Sequence, residues 1–70
     1  MSSNISIQFA QRIKQLRLAQ GLSQEELAFK CGLDRTYIGR LENLKRNPTL
    51  PVIAKIAAAF NMEAWELLKF

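Results

Sequence analysis

The segment SQEELAFKCGLD, residues 23–34, constrains this chain more than any other. Ser23 followed three places later by Glu26 is a capping box. The serine side chain accepts from the third amide of a helix, and the glutamate returns a bond to the serine amide. Glu25 and Glu26 also suit the positive end of the helix dipole. Gly32 ends this helix, and only Leu33 and Asp34 separate it from the next, for which Asp34 is a good N-cap. Leu27, Ala28 and Cys31 face inward. The segment therefore predicts two short helices joined by a tight turn, the second over about residues 35–43 with Asn43 as its end, since asparagine tolerates the left-handed conformation.

The rest of the chain reads as helix too, and no run alternates with period two for long enough to make a strand. Phe9, Ile13 and Leu16 follow one face of a helix over about residues 6–19, with Ser6 as N-cap and Gly21 as the stop. After the loop LKRNP, Thr49 caps a fourth helix that carries Pro51 in its first turn. Val52, Ile53, Ile56, Ala57 and Phe60 form its apolar stripe, and Asn61 breaks it. A short fifth helix starts at about Glu63, a weak N-cap, and carries Trp65 and Leu68. Five short helices with tight connections make an all-α domain.

With 70 residues, one domain is the sensible count, and its core is small. The net charge is +4, and eight of the ten basic residues lie between Arg12 and Arg46. Most acids in that span have local helix uses, which leaves the cations freer to face a polyanion. A single cysteine, Cys31, excludes an internal disulfide and fits a reducing compartment. It is most simply a small buried residue. The absence of histidine excludes a Cys/His metal site and His-based acid–base catalysis. The opening residues carry no signal-peptide apolar run, and the longest purely apolar run, IAAAF, is far too short for a bilayer. A cytoplasmic protein without a catalytic site, cofactor, metal or membrane partner is expected.

Counted at 100° per residue from Arg35, the positions Thr36, Gly39, Arg40 and Asn43 share with it an arc of about 140° on the third helix. Ile38 and Leu41 fall roughly opposite, with Tyr37 at the edge. One face anchors and the other offers donors. A mid-helix glycine costs up to ~1 kcal/mol relative to alanine. Gly39 is accounted for by a bulky neighbour close to the backbone, or else it is a tolerated surface glycine. Arginine binds guanine O6 and N7 with two donors, and threonine meets a base edge or a thymine methyl. An α-helix fits the major groove, and the preceding helix then crosses the backbone, where its N-terminal amides and Gln24 meet phosphate.

Residues 24–43, QEELAFKCGLDRTYIGRLEN, resemble the helix-turn-helix of lambdoid phage repressors and the wider XRE-type regulators. Ala28, Gly32, Ile38 and Leu41 match at the family spacing. Ala28 allows close helix approach and Gly32 makes the turn. The resemblance extends from about residue 9 to 68 and implies a five-helix lambda-repressor-like fold with helices 2 and 3 as the helix-turn-helix. It is closer still to the controller proteins of restriction–modification systems, which carry stretches much like LDRTYI and KRNP. Carried over by position, Arg35 and Thr36 are base readers, joined by Arg46 from the loop. Tyr37 contacts the DNA backbone or supports the readers. Gln24, Gly39, Asn43 and Asn47 lie on the phosphate side. Arg40 stands where controller proteins often have a small residue, and adds a base or phosphate contact. Arg17 and Glu42 occupy positions that pair between the first and third helices in similar repressors. Many relatives have glycine where Leu44 stands.

The resemblance implies a homodimeric, sequence-specific transcriptional regulator that binds a pseudo-palindromic double-stranded operator. Its half-sites lie roughly 34 Å apart. Residues 1–70 form one helix-turn-helix domain, and helices 4 and 5, over about residues 50–68, contribute to the dimer. Phe60, Leu67 or Phe70 lies near that surface. Phe60 and Trp65 are alternatively monomer core. The resemblance further implies activation of its own and the endonuclease promoter at low occupancy, with contact to RNA polymerase, and repression at high occupancy. Two other readings use the same fold: a phage repressor or antitoxin-like regulator, and a helical protein-interaction adaptor that binds no DNA.

Overall fold

The computed structural model describes residues 4–70. Five helices follow in order: α1 (Asn4–Ala19), α2 (Gln24–Cys31), α3 (Tyr37–Glu42), α4 (Leu50–Ala59) and α5 (Ala64–Leu67), with no strand among the described residues. In α1 the buried positions are Phe9, Ala10, Ile13 and Arg17, so an arginine takes a place on the inward stripe. Ser6 lies inside α1 rather than capping it. The expected start there was too late.

α2 forms as its capping box predicts. Ser23 Oγ accepts from the Glu26 amide at 3.0 Å, and the Glu26 carboxylate accepts from the Ser23 amide at 2.8 Å. A cap of this kind contributes about 1 kcal/mol. Thr49 caps α4 through the Val52 amide, with Pro51 in the first turn. In α5 the Glu66 carboxylate accepts from the Glu63 amide at 2.9 Å, so a glutamate stands at the N-cap with a second one bonding back to it.

Four helices end in the same way. After α1, α2, α3 and α4 one residue turns left-handed: Gly21, Gly32, Leu44 and Asn61. The amide after each donates back five residues, to the carbonyls of Arg17, Ala28, Arg40 and Ala57. This motif satisfies helix-end carbonyls, and it favours glycine because other side chains crowd the backbone there. Gly21, Gly32 and Asn61 end their helices as the sequence predicts. For α3 the expectation is corrected by one residue. Asn43 is not left-handed, and Leu44 takes that conformation at φ 61°.

The start of α3 is also corrected. Asp34 is not its N-cap. Its carboxylate accepts from the Thr36 amide at 2.9 Å and from the Thr36 hydroxyl, and its carbonyl accepts from the Tyr37 amide at 2.9 Å. This closes an Asx turn, a local alternative to helix. Arg35 and Thr36 lie in that turn, and the helix begins at Tyr37.

The core gathers Phe9, Ile13, Leu27, Ala28, Ile38, Leu41, Ile56, Phe60 and Leu67 from all five helices. α2 packs on α3 and α4, and α1 packs on α3 and α5. Arg12 Nη2 donates to the Glu66 carbonyl at 3.1 Å, which ties α1 to α5. Cys31 is buried, which pushes its thiol pKa up and keeps it unreactive. Two expectations for α5 reverse. Trp65, a core candidate, is 64% exposed, whereas Leu67, a candidate for the dimer surface, is fully buried. α5 is about one turn long, so residues two apart point nearly opposite ways, and Leu67 has the inward one. Phe60 is buried too. No described helix is long and apolar enough to cross a membrane.

Candidate nucleic-acid interface

The outward edge of α3 and the turn before it carry Arg35, Thr36, Arg40 and Asn43, all exposed, with Gly39 half-buried among them. Tyr37, Ile38 and Leu41 are buried on the other side. Because α3 is only six residues long, its aim depends on what holds it from below. Ile38 and Leu41 anchor it in the core, and Glu42 locks its last turn. The Glu42 carboxylate receives Arg17 Nε at 2.8 Å and Arg17 Nη2 at 3.0 Å. The pairing raises the pKa of the Arg17 guanidinium and keeps it charged despite burial.

Gln24 joins this lock. Its Nε2 donates to Glu42 Oε1 at 3.0 Å. A Cβ added at Gly39 would lie 2.9 Å from Gln24 Oε1. The bulky neighbour of Gly39 is therefore the side chain of Gln24, from α2. The Gln24 amide group faces inward, onto Glu42. Its backbone amide is at the first position of α2, where helix geometry offers no internal acceptor. That amide suits an anion.

Electrostatics in the turn are local. The Asp34 carboxylate has its pKa lowered by hydrogen bonds from the Thr36 hydroxyl and amide, with smaller help from the charges of Arg40 and Arg35. Asp34 thus organises Thr36 and sits among the arginines. Sequence reasoning treated it only as a cap. The signal was an aspartate two places before a threonine, which is an Asx-turn pattern. With its hydroxyl hydrogen on Asp34, Thr36 offers its methyl group and oxygen lone pairs to any ligand.

The loop between α3 and α4 supplies the rest. Arg46 is exposed, and its guanidinium carbon lies 4.9 Å from the centroid of the Tyr37 ring. That geometry is a cation–π contact. Tyr37 therefore lies beneath Arg46 rather than at the surface beside Arg35. Asn47 is exposed and accepts from Ser6 Oγ at 3.4 Å. Among the described residues no group of acids, cysteines or histidines could hold a metal ion. The arrangement presents guanidinium groups on a short rigid ledge and in one adjacent loop. Such an array suits phosphate oxygens and guanine edges.

Comparison with known proteins gives a family, a sequence relative and two solved structures. The helix-turn-helix family model matches residues 13–64. The control protein C.BamHI of Bacillus amyloliquefaciens is 44% identical over 71 aligned positions, covering all of this chain and 88% of that protein. Among solved structures, the restriction–modification controller protein C.AhdI from Aeromonas hydrophila is 50% identical, with a TM-score of 0.83 over 89% of this chain and 94% of that one. The controller protein C.Esp1396I, solved as a tetramer in complex with its natural 35 base-pair operator, is 34% identical with a TM-score of 0.84, covering 96% of this chain and 92% of that one.

Proposed function

The chain belongs to the helix-turn-helix family of restriction–modification controller proteins, and we propose that it is a homodimeric, sequence-specific DNA-binding transcriptional regulator acting in the cytoplasm on its own and an endonuclease promoter. The observation that carries this reading is the exposed ledge of Arg35, Thr36 and Arg40, fixed from below by the Arg17–Glu42 pair.

In this reading α3 enters the major groove. Arg35 and Arg40 donate to base edges or phosphates, and Arg46 reaches the DNA from its seat on Tyr37. Thr36 reads through its methyl group or accepts from a base amino group. The backbone amide of Gln24, with Asn43 and Asn47, lies toward phosphate, where the positive end of α2 adds attraction. The Gln24 side chain serves the lock on Glu42, and Gly39 makes room for it.

The dimer reading is supported by an unpartnered apolar stripe. Leu50 is 81% and Trp65 64% exposed, and the exposed Ala54 and Ala58 continue from Leu50 at helical spacing. Small side chains along such a stripe permit close approach of a second copy. For activation we assign the contact with RNA polymerase to the outer face of α2. Phe29 is 86% exposed there, next to Glu25 and Glu26.

Selection of bound duplexes from a random pool tests the reading directly. It is expected to return a pseudo-palindrome whose half-sites lie about one helical turn apart. On the selected duplex, Arg35→Ala is expected to weaken binding by ~1–3 kcal/mol and relax one base position. Equal weakening on random duplexes would remove Arg35 as a base reader. A chain that binds no duplex at all would instead be a protein-interaction adaptor on this fold.

A further inference from the structure

A pocket of about 240 Å³ opens between the first turns of α1, the α3–α4 loop and the end of α5. Its base is made by Phe9 and Leu41, which are buried, and its walls by Ile5, Ile53 and Leu68. Ile5 and Leu68 remain 59% and 38% exposed, so apolar surface stands open to water here. Among the described residues of the lining, Arg46 is the only charged one. Asn47, also in the lining, uses its carboxamide oxygen to accept from Ser6, which leaves its NH2 group to donate.

A concave apolar site with one cation and one amide at its edge selects a particular ligand chemistry. The apolar walls favour a short hydrocarbon body. The guanidinium favours a carboxylate, since charge-assisted hydrogen bonds are the strong ones. The volume lies below the ~300–1,000 Å³ of drug-sized sites, so the ligand is small. We propose that this pocket binds a short aliphatic monocarboxylate, with its chain between Phe9, Leu41 and Ile53 and its carboxylate on Arg46, and that occupancy weakens DNA binding. The second half rests on the DNA-binding reading above; the first does not. The link between the halves is the loop itself. Leu44, Arg46, Asn47 and Pro48 all line the pocket, and Arg46 is, in the DNA-binding reading, also the loop's contact to DNA. A bound carboxylate competes with the DNA for the same guanidinium.

The probe is hexanoate, titrated into the full chain and followed by amide NMR shifts. Hexanol supplies the same body without charge, and acetate the charge without the body. Hexanoate is expected to bind at least about tenfold more tightly than either, a difference of ~1.4 kcal/mol. Its shifts should centre on Ile5, Leu44, Arg46 and Leu68. Ile5→Asn and Leu68→Asn, both at exposed wall positions, should each weaken hexanoate severalfold while the circular dichroism melt stays unchanged. In a parallel arm, saturating hexanoate should reduce affinity for the selected duplex severalfold. Acetate at equal ionic strength should not, which separates competition from salt screening. Ile5→Asn should bind DNA normally and ignore hexanoate. Hexanol binding as tightly as hexanoate, or shifts spread away from the pocket, overturns the site. Hexanoate binding with unchanged duplex affinity overturns the regulatory half. Failure to bind any duplex without hexanoate is a failure of the DNA-binding reading, and leaves the titration arm standing.

Discussion

Arg17 and Glu42 form a two-pronged ion pair between α1 and α3, with Nε–Oε2 at 2.8 Å and side chains 9% and 4% exposed. The remaining Arg17 nitrogen donates to the Leu22 carbonyl at 2.9 Å, and Gln24 donates to Glu42. One carboxylate thus joins α1, α2 and α3 beneath the proposed DNA face. Removing one partner leaves a buried charge alone, which costs about 3–5 kcal/mol. Glu42→Ala is expected to lower stability by that order in urea unfolding. Arg17→Met combined with Glu42→Leu is expected to recover most of the loss, because the unpaired charge is gone. A double variant no more stable than the single one would contradict this account.

The Tyr37 ring holds Arg46 through a contact worth about 0.5–1 kcal/mol at an exposed site. Tyr37→Leu is therefore expected to weaken duplex binding by roughly two- to fivefold. The slope of affinity against salt should stay the same, since the Arg46 charge remains. Arg46→Ala should lower that slope by about one unit if the guanidinium meets phosphate. Fluorescence anisotropy over a salt series measures both. A reduced slope in Tyr37→Leu would mean that the ring does more than seat the arginine.

Leu44 is left-handed at φ 61°, where a leucine is strained by about 1–2 kcal/mol. Asparagine tolerates this conformation. Leu44→Asn is expected to raise stability by ~0.5–1 kcal/mol in thermal unfolding. Leu44→Ala keeps the strain and loses apolar contact, so it should lower stability. The opposite signs are the test; a loss in both variants would show that packing of the leucine outweighs its backbone.

The acid side of the stability profile follows from two carboxylates. Glu26 has its pKa lowered by the Ser23 backbone and side-chain bonds, and Asp34 by the hydroxyl and amide of Thr36. Groups with depressed folded-state pKa stabilise the fold above their ordinary values, 4.5 and 3.8 here, and lose that effect as pH falls through the folded-state values. Stability is expected to decline below about pH 4.5, and the combined change of Glu26→Gln and Asp34→Asn should make that decline shallower. Urea midpoints at a series of acid pH values give the slope directly. An unchanged slope would show that other groups control the acid limb.

The number and order of the helices were legible in local signals of the chain. Ser23 with Glu26, Thr49 with Pro51, and the stops at Gly21, Gly32 and Asn61 are signals whose partners lie within a few residues. Local backbone geometry decides them, so they are legible in the chain. The inward stripes of α1, α2 and α4 were legible for the same reason, since helical spacing alone selects them.

Tertiary structure decided the rest. The start of α3 depended on where the Asp34 carboxylate bonded, and it closed a turn onto Thr36 just before the buried Tyr37 and Ile38. Leu44, not Asn43, is left-handed, and the Lys45 amide then returns to the Arg40 carbonyl at 2.8 Å. Trp65 went out and Leu67 in, because a single-turn helix has one inward position. Arg46 on Tyr37, and Gln24 between Glu42 and Gly39, join residues from different elements. Such contacts are set by how helices meet in space, and no pattern within one helix encodes that meeting.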